Sequence, residues 1–103
     1  MVAIRLDATL TRATELSEWF IPAGTPAPVC SVHVFSSRGS LVAFGSYNAG
    51  LQVVDYADPS APRRVAQGIA PGTTAWGALW NGDIIYVGDM ARGLDTFRYH
   101  GPS

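Results

Sequence analysis

The sequence predicts an all-β chain on three observations: a repeat spaced at 43 residues, strand-sized runs of β-branched and aromatic residues between turn formers, and scarce helix signals. The repeat comes first, because a fixed period decides architecture before any local reading does. Gly39 and Gly82, Gly45 and Gly88, Gly50 and Gly93, Leu51 and Leu94, and Tyr56 and Tyr99 all stand 43 positions apart without a gap. Conservative pairs fill the intervals, with Leu41 against Ile84, Val42 against Ile85, Phe44 against Val87 and Val54 against Phe97. A weaker copy lies upstream at a spacing of 48, where Asp7 answers Asp55 and Ile21 answers Ile69. Its extra residues fall in the proline-rich stretch from Ala23 to Val29, an insertion that an exposed loop tolerates.

The elements follow in order. Two strands are expected before Ala23; the spacing of Leu10, Ala13, Leu16 and Phe20 suits a helix, but the repeat assigns this segment to a turn and a strand. Ser31 to Phe35 reads as the next strand, after which Arg38-Gly39 turns into Leu41 to Phe44. Tyr47-Asn48-Ala49-Gly50 loops into Leu51 to Tyr56, and Asp58-Pro59-Ser60-Ala61-Pro62 turns into Arg64 to Ile69. Asp58 bonds within its own turn, while the prolines forbid a continuing strand. Three strands are expected between Thr74 and Tyr99, the first two joined at Asn81-Gly82, a pair that suits the positive φ values of a type I′ hairpin.

Four strands in one 43-residue unit is the content of a propeller blade, a small twisted antiparallel sheet that packs face to face on its neighbours. The expected architecture is therefore an incomplete β-propeller of about two and a quarter four-stranded blades in a single domain. Residues 1–22 end one blade, 30–69 make a complete one, and 74–99 supply three strands of the last. Closed propellers take roughly four to eight blades, so the chain reads as the C-terminal portion of a longer propeller.

Composition agrees and excludes several function classes. With 103 residues and 48% hydrophobic content the chain suffices for one small core. Its 11 Gly, 7 Pro and 15% charged residues suit a turn-dense fold rather than a disordered tail. A net charge of −1 offers no counterpart to a run of phosphates, so nucleic acid is not an expected partner. Apolar runs such as Ile84 to Val87 fall far short of the roughly 20 residues of a membrane span. Cys30 is the only cysteine, which leaves no intrachain disulfide and no thiolate cluster. Arg5 and Asp7 place charge where a secretion signal would need an apolar run, so no export address is expected in this chain.

Gly50-Leu51-Gln52-Val53-Val54-Asp55, followed by Asp58-Pro59-Ser60-Ala61-Pro62, resembles the LVIVD repeat, a blade-forming unit with a glycine, a hydrophobic run ending in Asp and an Asp-Pro turn. Ser31-Val32-His33-Val34 is similar to the histidine-bearing first strand of that repeat, and Tyr86 to Asp95 resembles its terminal unit. Arg98 stands where the repeat has Asp, and Trp76 where it has His. The resemblance implies a propeller, and a parent protein that is exported or surface-associated; it implies no activity, because architecture does not fix function.

Propeller topology would gather the inter-blade loops, Pro28 to Ser31 and Gly72 to Ala75, with the loops Ser46 to Ala49 and Asp89 to Arg92 at one mouth. His33, Tyr47, Asn48, Trp76, Asp89 and Arg92 are the ligand-binding candidates on that face. Each also has an ordinary reading. His33 has no second ligand at metal spacing and fits a hydrogen-bonded histidine between strands. Trp76 and Trp80 stand four apart, which places both on one strand face and suits packing between blades. Asp89 and Arg92 suit a surface pair, and Asp55 and Asp95 suit carboxylates that accept loop N–H bonds.

No nucleophile elbow, phosphate-cradling glycine motif or catalytic acid/base pair is evident, and no cofactor is expected. The leading expectation is a non-enzymatic scaffold for a protein or surface ligand, whose partners include the rest of the parent propeller or further copies associating through open strand edges. The rival is a lactonase-like propeller hydrolase with a metal in the axial channel, to which this chain contributes only His33, Asn48 and Asp89. A third reading is a gene fragment without independent function.

Overall fold

A computed structural model describes residues 1–22 and 32–102. The predicted loop Pro28 to Ser31 and the lone Cys30 lie outside the described residues. Nine strands and no helix occur among the described residues: β1 (Val2–Leu6), β2 (Ala13–Glu18), β3 (Phe35–Arg38), β4 (Leu41–Gly45), β5 (Leu51–Asp55), β6 (Arg63–Gly68), β7 (Ala75–Asn81), β8 (Ile84–Asp89) and β9 (Gly93–Arg98). They form three antiparallel sheets in chain order, with two, four and three strands. The expected strand count is met, and the sheets do not close into a ring.

The ambiguous segment after Leu10 is a turn followed by strand β2. The carboxylate of Asp7 accepts from the Thr11 N–H at 2.8 Å and the Arg12 N–H at 3.3 Å, which closes the chain back on β1. That local bonding competes with a helix and wins.

Two details of the strand assignment are corrected. The first strand of the four-stranded sheet is Phe35–Arg38 rather than Ser31 to Phe35, because Arg38 pairs with Leu41 and the ladder runs back only to Phe35 and Phe44. Val34 instead forms a parallel bridge to Gly77 on the next sheet. The second hairpin turns on Gly82-Asp83 rather than Asn81-Gly82, since Asn81 pairs with Ile84. Gly82 has φ +61° and Gly39, its counterpart in the first hairpin, has φ +59°. Neither Ser40 nor Asp83 has a positive φ. A positive φ at the first central position alone is the type II′ arrangement, and glycine adopts it without steric cost.

The repeat is visible in the bonds. The Tyr56 N–H donates to the Ser40 carbonyl and the Tyr99 N–H to the Asp83 carbonyl, each at 2.8 Å and 43 residues apart. The side chains at these positions differ yet still meet: the Ser40 hydroxyl donates to Asp55 at 2.8 Å, and Arg98 pairs with Asp83 at 2.7 Å. Arg98, where the repeat has Asp, is thus matched by an acid in place of the serine.

The core lies between the four-stranded and three-stranded sheets. Leu41, Ala43, Leu51 and Val53 alternate onto one face and are buried against Ala75, Ala78, Ile85, Val87 and Tyr99. Full burial of a side chain such as Leu41 or Ile85 is worth about 1.5–3 kcal/mol. On the opposite face Phe44 is buried, with Trp19 edge-on to it at 5.8 Å. The main sheets approach closely because glycines line the crossing. A Cβ on Gly45 would stand 2.9 Å from the Gly77 nitrogen, and one on Gly77 would stand 2.8 Å from the Val34 Cβ.

Candidate functional site

Three loops meet at one end of the stacked sheets. The loop after β4 bonds to the start of β7 through two backbone contacts: the Tyr47 N–H donates to the Ala75 carbonyl at 2.8 Å, and the Ala75 N–H returns to Tyr47 at 3.0 Å. The Met90 N–H, after β8, donates to the Thr74 carbonyl at 3.0 Å. Arg92 reaches the Pro71 carbonyl at 2.9 Å. Topology had placed these loops together, and backbone bonding joins them.

His33, Tyr47 and Trp76 come together there. The His33 imidazole stacks on the Trp76 indole with centroids 3.8 Å apart and an interplanar angle of 11°. Tyr47 stands edge-on to His33 at 4.9 Å and lies 6.3 Å from Trp76. Tyr47 has φ 41°, a left-handed conformation unusual for a bulky side chain. Its bonds to Ala75 and the Gly50 N–H donating to its carbonyl at 3.0 Å hold it there. Residues kept in such conformations cluster at binding sites, because surrounding structure must compensate the strain. Asn48, the next residue, is half-buried in the same loop.

Trp76 and Trp80 do not share surroundings, contrary to the spacing argument. A bulge between Ala75 and Gly77 breaks the two-residue alternation. Trp80 packs into the core edge-on to Tyr99 at 5.4 Å, beneath the Arg38 guanidinium at 4.4 Å. Trp76 turns to His33 and stays 40% exposed.

Asp89 and Arg92 take different roles and do not form an ion pair with each other. Asp89 is 6% exposed, and its carboxylate accepts from the Thr73 hydroxyl at 2.5 Å, the Thr74 N–H at 3.1 Å, the Ala91 N–H at 2.8 Å and the Arg92 N–H at 2.9 Å. Burial pushes its pKa up, but the Thr73, Ala91, Arg92 and Thr74 bonds outweigh burial and leave it below the usual aspartate range. Arg92 makes a two-pronged pair with Asp95, Nε to Oδ2 at 2.8 Å and Nη2 to Oδ1 at 3.1 Å. The hydrogen bond to Asp95 and its charge raise the Arg92 pKa. Asp95 therefore holds a side chain rather than loop N–H groups. Asp55 does accept a loop bond, from the Ala57 N–H at 2.8 Å.

Thr73 and Thr74 escaped the sequence reading. The signal was available, because both threonines lie in the loop Gly72 to Ala75 that was expected beside Asp89. No group of three or more His, Cys, Asp or Glu side chains that could hold a metal ion occurs among the described residues. No helix among them is long and apolar enough to cross a membrane. The arrangement can offer an aromatic surface backed by a rigid loop junction. No protein-family model, curated protein or solved structure matches the chain.

Proposed function

We propose that this protein is a portion of a β-propeller built from LVIVD-like repeats, and that it serves without catalysis as a binding scaffold. Its loop end, with His33, Tyr47 and Trp76, presents the surface for a protein or surface ligand. The single observation that carries the binding role is the aromatic stack held in place by a strained, doubly bonded Tyr47. Rigid aromatic groups concentrate binding energy because they offer large contact area with little entropy to lose. The propeller reading is supported by two sheets related by the 43-residue repeat and stacked face to face, with a parallel bridge between Val34 and Gly77 where their first strands approach.

The test is a screen of immobilised protein against peptide and glycan arrays, repeated with Trp76→Ala and Tyr47→Ala. Binding that falls more than about tenfold in both variants supports the scaffold. Absence of any ligand, or binding indifferent to both substitutions, refutes this loop end as the site.

A further inference from the structure

The repeat exposes a surface that its earlier copy keeps covered. Leu41, Ala43, Leu51 and Val53 form the face of the four-stranded sheet that β7–β9 cover. Their counterparts 43 residues later are Ile84, Tyr86, Leu94 and Thr96, on the corresponding face of β8 and β9. That face is open: Leu94 is 65% exposed, and Leu79, opposite Tyr86, is 60% exposed.

Gly88 points the same way. At its counterpart Gly45, the backbone of β7 passes so close that a Cβ would meet it at 2.9 Å, whereas nothing lies within 4 Å of a Cβ on Gly88. Gly88 has no positive φ to require a glycine either. It is a glycine at the position where, one repeat earlier, the next strand passes.

The complementary face is present in the same chain. Within it, β7–β9 contribute Ala78, Ile85, Val87 and Tyr99 to the covered core. Their counterparts 43 residues earlier are Phe35, Val42, Phe44 and Tyr56. The chain's own N-terminal strands cover part of this face, with Trp19 against the buried Phe44 and with Met1, Val2 and Ala3 lining a cavity of about 250 Å³ together with Val42 and Tyr56, but Phe35 at its edge remains 61% exposed.

We infer that two copies of this protein dock head to tail, the β3 face of one, led by Phe35, seated on the open β7–β9 face of the other. The seat is a groove of about 220 Å³ lined in part by Trp76, Leu79, Tyr86 and Gly88. A second copy is the occupant because its exposed Phe35 is the repeat counterpart of Ala78, which the chain already seats against the matching face of the four-stranded sheet. The two surfaces differ, so the contact is heterologous and adds further copies unless the rotation closes a ring. This inference rests on the repeat and on burial, not on what the loop end binds.

The experiment measures solution mass by light scattering for the wild type, Phe35→Glu, Leu79→Glu and an equimolar mixture of the two variants, with far-ultraviolet circular dichroism on each. Both positions are exposed, so both variants keep the wild-type β spectrum. The wild type is expected at multiples of the 10.9 kDa chain and each variant at one. The mixture is expected at two chains and no more, because the Leu79→Glu copy still carries an intact Phe35 and the Phe35→Glu copy an intact groove. A monomeric wild type, variants that remain associated, or a mixture that fails to pair overturns the inference.

Discussion

Replacing Asp89 with Ala should be the most damaging loop substitution in this protein. Its carboxylate is the common acceptor for the Thr73 hydroxyl and the Thr74, Ala91 and Arg92 N–H groups, and so ties the β6–β7 loop to the β8–β9 loop. A hydrogen bond to a charged group is worth about 1.5–3 kcal/mol. Ala91 and Arg92 are exposed and regain water, whereas Thr73 is buried and Thr74 half-buried. Two bonds therefore count, and with partial relaxation the expected loss is about 3 kcal/mol. For a chain of this size that lowers Tm by more than about 10 °C. The pH dependence has a definite sign. The folded pKa of Asp89 is lowered, so its stabilisation is complete above the unfolded aspartate value of about 3.9 and is lost as pH falls through the folded value. Thermal melts followed by circular dichroism at pH 7, and then at falling pH, should show a gap between wild type and Asp89→Ala that narrows only in acid. A variant melting within a degree or two of wild type at neutral pH, or a gap that persists unchanged in acid, would refute the account of Asp89 as the bolt between loops.

Two further outcomes follow from the sheet contacts. Gly77→Val should destabilise the stacking of the main sheets, because its Cβ alone would stand 2.8 Å from the Val34 Cβ, a clash of the kind that costs about 1–3 kcal/mol; denaturant titration should show a lower midpoint. Arg38→Ala should cost about 1 kcal/mol by the same titration, since the guanidinium lies 4.4 Å from the Trp80 ring and donates to the Gly82 carbonyl at 2.6 Å; Arg38→Lys should recover only part of it, because an ammonium lacks the planar fork.

Much of the fold was legible because its causes are local or periodic. Short apolar runs such as Leu41 to Gly45 between glycine-bearing turns specify strands by their length and punctuation, and the 43-residue spacing specifies that two sheets share one plan. What escaped depends on how sheets meet. The bulge at Trp76 moved that ring away from Trp80, and a count by twos cannot register it. Val34 left its own sheet to bridge Gly77, so the first strand began later than its composition suggested. At the loop end, Tyr47 and Trp76 were identifiable as aromatic loop neighbours, but their convergence on His33 required the loop after β4 to dock on β7. Arg92 had two aspartates within three positions, and only the folded loop chose Asp95, since Asp89 was already taken by backbone N–H groups.

The sequence by itself determined the all-β class, the division into two, four and three strands, and the equivalence of the second and third sheets. Strand-sized apolar runs and turn residues act within a few positions, and the repeat can be read without knowing any partner. The tertiary structure decided which apolar faces are buried and which remain open. Leu51 and Leu94 are the same residue at the same place in the repeat, yet Leu51 is in the core and Leu94 is exposed. The difference is the sheet that lies over one and not the other, and burial is a property of that neighbour rather than of the leucine.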